Sequence, residues 1–249
     1  MSFTIAVAGK GGTGKTTISA LIVRHLLKTG AGPILAIDAD PNSNLAEAIG
    51  LTKNESIADI MEEVRKNIDS IPKGMTKERF IEYRVQESIS ESKGVDLLTM
   101  GRPEGPGCYC YINDLLRSLT KKLITNYPFI VIDNEAGMEH VSRRIVANMD
   151  SLLLVSDYSL VGVRSAVRIF KLIKELGISV KANYMIINKV NGALDGLKME
   201  LPSDITLAGT IPYDETLVNL SLKGEALGDG NISQEVMQVI NEICTTIRK

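Results

Sequence analysis

The chain has 249 residues, is 44% hydrophobic with a mean hydropathy of +0.08, and carries a formal charge of -2 with a pI near 5.8. That is enough sequence for one large domain with a filled core, and too little positive charge for a protein whose main work is to coat nucleic acid or an anionic membrane. No run approaches the roughly 18 uninterrupted apolar residues of a membrane span, and MSFTIAVAGKGG lacks the basic region, apolar core and cleavage site of a signal peptide, so the expectation is a cytoplasmic protein with neither nucleic acid nor membrane as partner.

The first predicted element is a strand from Phe3 to Ala8, followed by a glycine turn and a helix from Lys15 to Lys28. A strand from Pro33 to Asp38 leads to a helix over Asn44 to Ile49. Residues from about 56 to 92 are richer in charge (MEEVRKNIDS, TKERFIEYR) and read as a helical excursion, with a strand near Val95 to Met100 after it. Further strands are expected over Phe129–Asp133, Ser151–Val155, Ala182–Asn188 and Thr206–Ile211, with helices over Val161–Leu176 and Ser233–Ile247. These strands are continuous Ile, Val, Leu and Ala rather than alternations, which is how strands buried on both faces read. The fold class is therefore α/β: a doubly wound, mainly parallel sheet with helices on both faces, as one domain spanning residues 1–249.

The turn after the first strand reads Gly9-Lys10-Gly11-Gly12-Thr13-Gly14-Lys15-Thr16-Thr17 and fits the phosphate-loop pattern Gly-x-x-x-x-Gly-Lys-Thr. Glycines let backbone N-H groups curl around phosphate oxygens, the helix adds its positive end, Lys15 reaches the terminal phosphates, and the Thr16 hydroxyl ligates Mg2+. IDADPNSNL, residues 37–45, ends a strand in Asp38 and Asp40, and FIVIDNEAG, residues 129–137, ends one in Asp133. Strand-end carboxylates sit on the ligand edge of a parallel sheet. MIINKVNG, residues 185–192, bears on base choice. Asn191 stands where a guanine reader would place an aspartate, and an amide has one acceptor and would set its own donors against one guanine hydrogen, so ATP/ADP is the expected nucleotide.

The second lysine, Lys10, makes this a deviant Walker A motif, and the chain resembles the MinD, ParA and nitrogenase iron protein family of dimeric ATPases. The resemblance implies a homodimer in which Lys10 crosses to the partner's nucleotide. It also implies Asp40 as the orienter of attacking water, Asp38 nearer magnesium, and Asp133 as a Walker B carboxylate acting on magnesium through water. Gly137 would let a second switch move, and Pro212 and Asp214 would join Asn188 in the base pocket. Relatives often read Thr-Pro-Ala-Gly after the Walker B aspartate, whereas here the residues are Asn-Glu-Ala-Gly, which leaves the role of Glu135 open.

Two of the chain's three cysteines, Cys108 and Cys110, lie one residue apart in GPGCYCYI. A pair supplies only half of a four-ligand site, but a two-fold axis would bring two pairs together as four thiolates suited to Zn2+ or Ni2+. With this pair and the IDNEAG strand the chain resembles the CooC-type ATPases that assist nickel insertion into carbon monoxide dehydrogenase. That resemblance implies a metallochaperone with this enzyme as client. A positioning ATPase acting on DNA or membrane, and an iron-sulfur electron-transfer ATPase, are the alternatives.

Other residues read as scaffold. Cys244, in an apolar helical pattern, is expected to be a buried small hydrophobe, and His25 to be structural; His140 fits no metal motif. Arg164, Arg168 and Lys171 lie at helical spacing and read as a solvated face.

Overall fold

The computed structural model describes residues 2–66, 71–101, 118–119, 121–135, 148–192, 201–228 and 230–248. Its sheet contains eight strands: β1 (Phe3–Gly9), β2 (Ile34–Ala39), β3 (Ser90–Ser92), β4 (Val95–Thr99), β5 (Phe129–Asn134), β6 (Asn148–Asp157), β7 (Ser179–Val190) and β8 (Thr206–Pro212). Their spatial order is β3-β4-β2-β5-β1-β6-β7-β8, and every neighbouring pair is parallel except β3 with β4. The described helices are α1 (Lys15–Lys28), α2 (Leu45–Ile49), α3 (Ile57–Lys66), α4 (Lys77–Glu87), α5 (Leu160–Glu175), α6 (Glu215–Lys223) and α7 (Gln234–Thr246).

The continuous apolar strands divide by alternation between two cores. On β1, Ile5 and Val7 face one side with α1, α6 and α7, while Ala6 and Ala8 face the other with α3, α4 and α5. The first core packs Ile18, Leu21 and Ile22 of α1 against Val131, Leu153 and Val155, and all six are at most 1% exposed. Burial on that scale contributes roughly 1.5–3 kcal/mol per large aliphatic side chain, which is why α1 needs no strong intrinsic helix signal. Helix starts are supplied locally: Ser159, Asp214 and Ser233 cap α5, α6 and α7 by accepting from the N-H of Gly162, Leu217 and Val236. Each such cap is worth about 1 kcal/mol.

The region expected as a helical excursion over 56–92 contains α3 and α4, joined by the Arg84 guanidinium, which bridges Glu55 and Glu63. Its last residues, Ser90 to Ser92, are not helical. They form the antiparallel edge strand β3, because the turn at Lys93-Gly94 folds them back on β4. Helix α6 was absent from the pattern reading. Only Leu217 and Leu220 of its residues are buried, too few for a distinct helical periodicity.

Sheet order fixes where the site lies. From β1 the chain crosses over β5 to reach β2, and from β5 it crosses over β1 to reach β6. The carboxyl end of β1, where these crossovers diverge, is the topological switch point at which doubly wound sheets bind ligands. The glycine turn stands there.

Candidate nucleotide site

Gly9 ends β1 against β6 so closely that an added Cβ would lie 2.3 Å from the Val155 carbonyl oxygen. Gly14 opens α1 in the left-handed region at φ 92°, with no side-chain cap and no acidic residue in the first turn. The first N-H groups of α1 are thus left for an anion, at the positive end of the helix dipole. A Cβ on Gly14 would meet Asn188 Nδ2 at 2.4 Å, so this glycine is required both for its backbone conformation and for its space.

The loop is held by its own atoms and by β7. The Lys10 carbonyl accepts from the Thr13 hydroxyl at 2.8 Å and from Lys15 Nζ at 3.5 Å. Lys15 is buried and Lys10 is exposed. From the neighbouring strand end, Asn188 Nδ2 donates to the Thr13 carbonyl at 2.8 Å, while its Oδ1 accepts from the Lys189 N-H at 2.9 Å. Lys189 adopts φ 58° at an irregularity in the β7–β8 pairing and donates through Nζ to the Gly12 carbonyl at 3.0 Å. Asn188 and Lys189 together brace the outer wall of the loop. Lys189 was not singled out from sequence, although it directly follows Asn188.

On the other side of β1, the register pairs Asp38 of β2 with Asp133 of β5. Both are buried, at 0% and 1% exposure. Asp38 accepts from the N-H groups of Asp40 at 3.1 Å and Leu45 at 2.9 Å, fixing the turn into α2. Burial pushes its carboxyl up to about 6, against those N-H groups, which favour the charged form. Asp133 is pushed up to about 7, by burial first and also by the Asp38 charge, while the Thr16 and Ser19 hydroxyls and Lys15 oppose the shift. Ser19 Oγ donates to Asp133 Oδ1 at 3.1 Å, and among the described residues Asp133 Oδ2 accepts no hydrogen bond. Ser19, a polar residue inside the apolar run ISALIV, is a second member of the site that pattern reading passed over.

Asp40 is partly exposed, and its Oδ1 accepts from both the N-H and Nδ2 of Asn42, at 2.9 and 3.0 Å. Pro212 ends β8 opposite Val190, and Asp214 caps α6. Burial alone would raise the Asp214 carboxyl, but hydrogen bonds from the Ser233 hydroxyl and the Leu217 and Thr216 N-H groups hold it below the usual carboxylate range. The structure thus gathers Gly9 to Thr17, Asp38, Asp40, Asp133 and Asn188 at one sheet edge, with Pro212 and Asp214 following the adjacent strand β8. Cys108, Cys110, Gly137 and His140 lie outside the described residues.

The scaffold readings are met. Cys244 is buried and its thiol is pushed up to about 12 by burial, which makes it inert. His25 is buried and held below its ordinary value by burial and by Arg248 and Lys28. Arg164, Arg168 and Lys171 are exposed on α5. Among the described residues no group of three or more His, Cys, Asp or Glu side chains is placed to hold a metal, and no helix is long and apolar enough to cross a membrane.

The fold closely matches MinD structures. A MinD cell division protein of Aquifex aeolicus superposes with a TM-score of 0.69 at 20% identity, covering 100% of this chain and 98% of that one. MinD of Pyrococcus horikoshii, solved with Mg-ADP, gives a TM-score of 0.68 at 19% identity, covering 100% and 97%. In sequence the chain is 41% identical to an uncharacterized ATP-binding protein of Methanocaldococcus jannaschii, over 98% of this chain and 97% of that protein. It is 32% identical to the carbon monoxide dehydrogenase accessory protein CooC of Rhodospirillum rubrum, over 86% and 84%. The CobQ/CobB/MinD/ParA nucleotide binding domain matches residues 4–227, and with the phosphate loop and both strand-end aspartates in place the chain belongs to that family of ATPases.

Proposed function

We propose that this chain is a homodimeric ATPase that serves as a nickel-insertion metallochaperone for carbon monoxide dehydrogenase, coupling ATP binding and hydrolysis to metal held by Cys108 and Cys110. The observation that carries this reading is the 32% identity to CooC over 86% of the chain, joined to the Cys-x-Cys pair in the sequence. The metal is cargo here. Four thiolates from two subunits would take zinc or nickel, and release would follow when hydrolysis loosens the interface.

At the nucleotide, the loop N-H groups and Lys15 bind the phosphates, and the exposed Lys10 crosses the dimer interface to add positive charge at the partner's nucleotide. The donor set suits magnesium: among the described residues Asp133 Oδ2 is a buried acceptor without a partner, and the Thr16 hydroxyl and Asp38 carboxylate lie beside it. When bound, the ion would neutralise charge on the β- and γ-phosphates. Asp40 orients the attacking water, with Asn42 holding the carboxylate through Oδ1. Asn188 keeps the wall of the loop in place beside the base pocket, which Pro212 and Asp214 complete.

The test combines elemental analysis with gel filtration, with and without ATP. One metal ion per dimer, lost in the double variant Cys108→Ala/Cys110→Ala while ATP binding persists, supports the proposal; an unchanged ion content overturns it. A second reading, a positioning ATPase, is favoured by the MinD superpositions and by the exposed basic residues of α5. ATP-dependent sedimentation with DNA or anionic vesicles, lost on replacing Arg164, Arg168 and Lys171, would favour it instead.

A further inference from the structure

Asn134, the last residue of β5, is 1% exposed, and its amide is engaged at one end only. Nδ2 donates to the Val7 carbonyl at 3.0 Å and lies 3.5 Å from the Ile132 carbonyl. Among the described residues Oδ1 accepts no hydrogen bond. Leaving a buried acceptor unsatisfied is costly, and a donor that arrives with a ligand would remove that cost. The orientation of the amide is set by chemistry, since a flipped amide would turn its oxygen toward two carbonyl oxygens. Both of those carbonyls belong to residues earlier along their strands, while Asn134 itself is the last residue of β5, at the carboxyl end of the sheet.

Its surroundings at that edge are specific. Alternation puts Asn134 on the opposite face of β5 from Asp133, the same face as Ile130 and Ile132. It pairs with Ala39 on β2, and Asp40 is the next residue of that strand end. On β1, Val7 pairs with Asp133, so Ala8 stands level with Asn134 and the phosphate loop begins one residue further on. For an acceptor at this strand end, one residue short of Gly9 on one neighbouring strand and of Asp40 on the other, a water is the natural donor, because phosphate oxygens bring no N-H or O-H to give.

We propose that Asn134 is a catalytic residue of ATP hydrolysis that holds the attacking water through Oδ1, across from Asp40; this rests on the ATPase reading of the same site. In the step, the water oxygen forms a bond to the γ-phosphorus, the bond to the β,γ-bridging oxygen breaks with its electron pair going to ADP, and the displaced water proton ends on the phosphate product or solvent. An amide is no base at neutral pH. Its part is to fix the direction of one O-H, which turns a lone pair toward phosphorus.

The experiment measures kcat and, separately, the Kd of a fluorescent ATP analogue for wild type, Asn134→Ala and Asn134→Ser. Asn134→Ala is expected to lower kcat about tenfold or more with Kd changed less than about threefold, and Asn134→Ser, which keeps an oxygen, to recover part of the loss. Normal turnover in Asn134→Ala overturns the proposal. A loss of ATP affinity as large as the loss of kcat overturns it too, because that is what an amide merely anchoring β1 through Val7 would produce. If Asn134→Ala does not fold, the kcat and Kd of Asn134→Ser decide by the same split. Wild-type protein that binds the analogue without hydrolysing ATP would instead defeat the underlying ATPase reading, and is recognised before any variant is compared.

Discussion

The two flanks of the phosphate loop are built to different degrees of completion. On the β7 flank, Asn188 and Lys189 already use their polar atoms on the loop and on each other: Nδ2 on Thr13, Oδ1 on the Lys189 N-H, Nζ on Gly12. On the β2–β5 flank, two buried carboxylates sit side by side in register, and both Asp133 Oδ2 and Asn134 Oδ1 lack partners among the described residues. One flank is scaffold that needs no ligand to be satisfied. The other carries buried acceptors that the proposed magnesium, nucleotide and water would satisfy. On the proposed function the difference separates shape from reactivity: the satisfied side would set where phosphates bind, and the other side what happens to them.

Variants can break or sharpen that contrast. The largest effect is expected at Lys15→Ala, between the flanks, where ATP affinity should fall by about 100-fold in a direct binding titration, because the buried ammonium faces several phosphate oxygens at once. Next, Asp133→Asn on the reactive flank should lower kcat by roughly 100-fold at saturating magnesium while ATP still binds. Equal loss of binding would show that the two flanks do not divide their work. On the scaffold flank, Asn188→Ala should do the opposite, weakening ATP about tenfold with little change in kcat at saturation. The broken Thr13 contact also costs about 1–2 kcal/mol of stability, read as a lower melting temperature.

A pH series without nucleotide or magnesium probes the reactive flank alone. The carboxyls of Asp38 and Asp133 are raised to about 6 and about 7, above their ordinary 3.8, so the folded chain holds protons that the unfolded chain has released. Stability is therefore lost as pH rises from about 4 through about 7, by an amount on the order of a few kcal/mol, and the melting temperature should fall over that interval. In Asp133→Asn the upper part of the decline should disappear, and a wild-type curve that is flat between pH 5 and 8 would contradict the buried pair. The smallest effect belongs to the exposed face of α5, where Arg164→Ala should change stability and ATP turnover by no more than about 0.5 kcal/mol equivalent.

What the sequence determined by itself was whatever depends on local geometry or on burial along one element. The loop is legible because its chemistry needs glycines at fixed spacing, and Gly9 and Gly14 indeed sit where a Cβ would strike Val155 and Asn188. The parallel sheet is legible because strands covered on both faces must be apolar at every position, and α1 falls on its expected Lys15–Lys28 bounds. Tertiary structure alone decided everything set by which strand lies beside which. Pairing β2 with β5 makes neighbours of Asp38 and Asp133, 95 positions apart in the chain's numbering, and raises both carboxyls by burial. Ser19 became part of the site because α1 packs over the end of β5, and Lys189 because β7 ends against the loop. Asn134 was hidden for the same reason: a strand-end asparagine reads as a turn former, and only the register with Ala39 and the bond to the Val7 carbonyl mark it as a buried amide beside the loop.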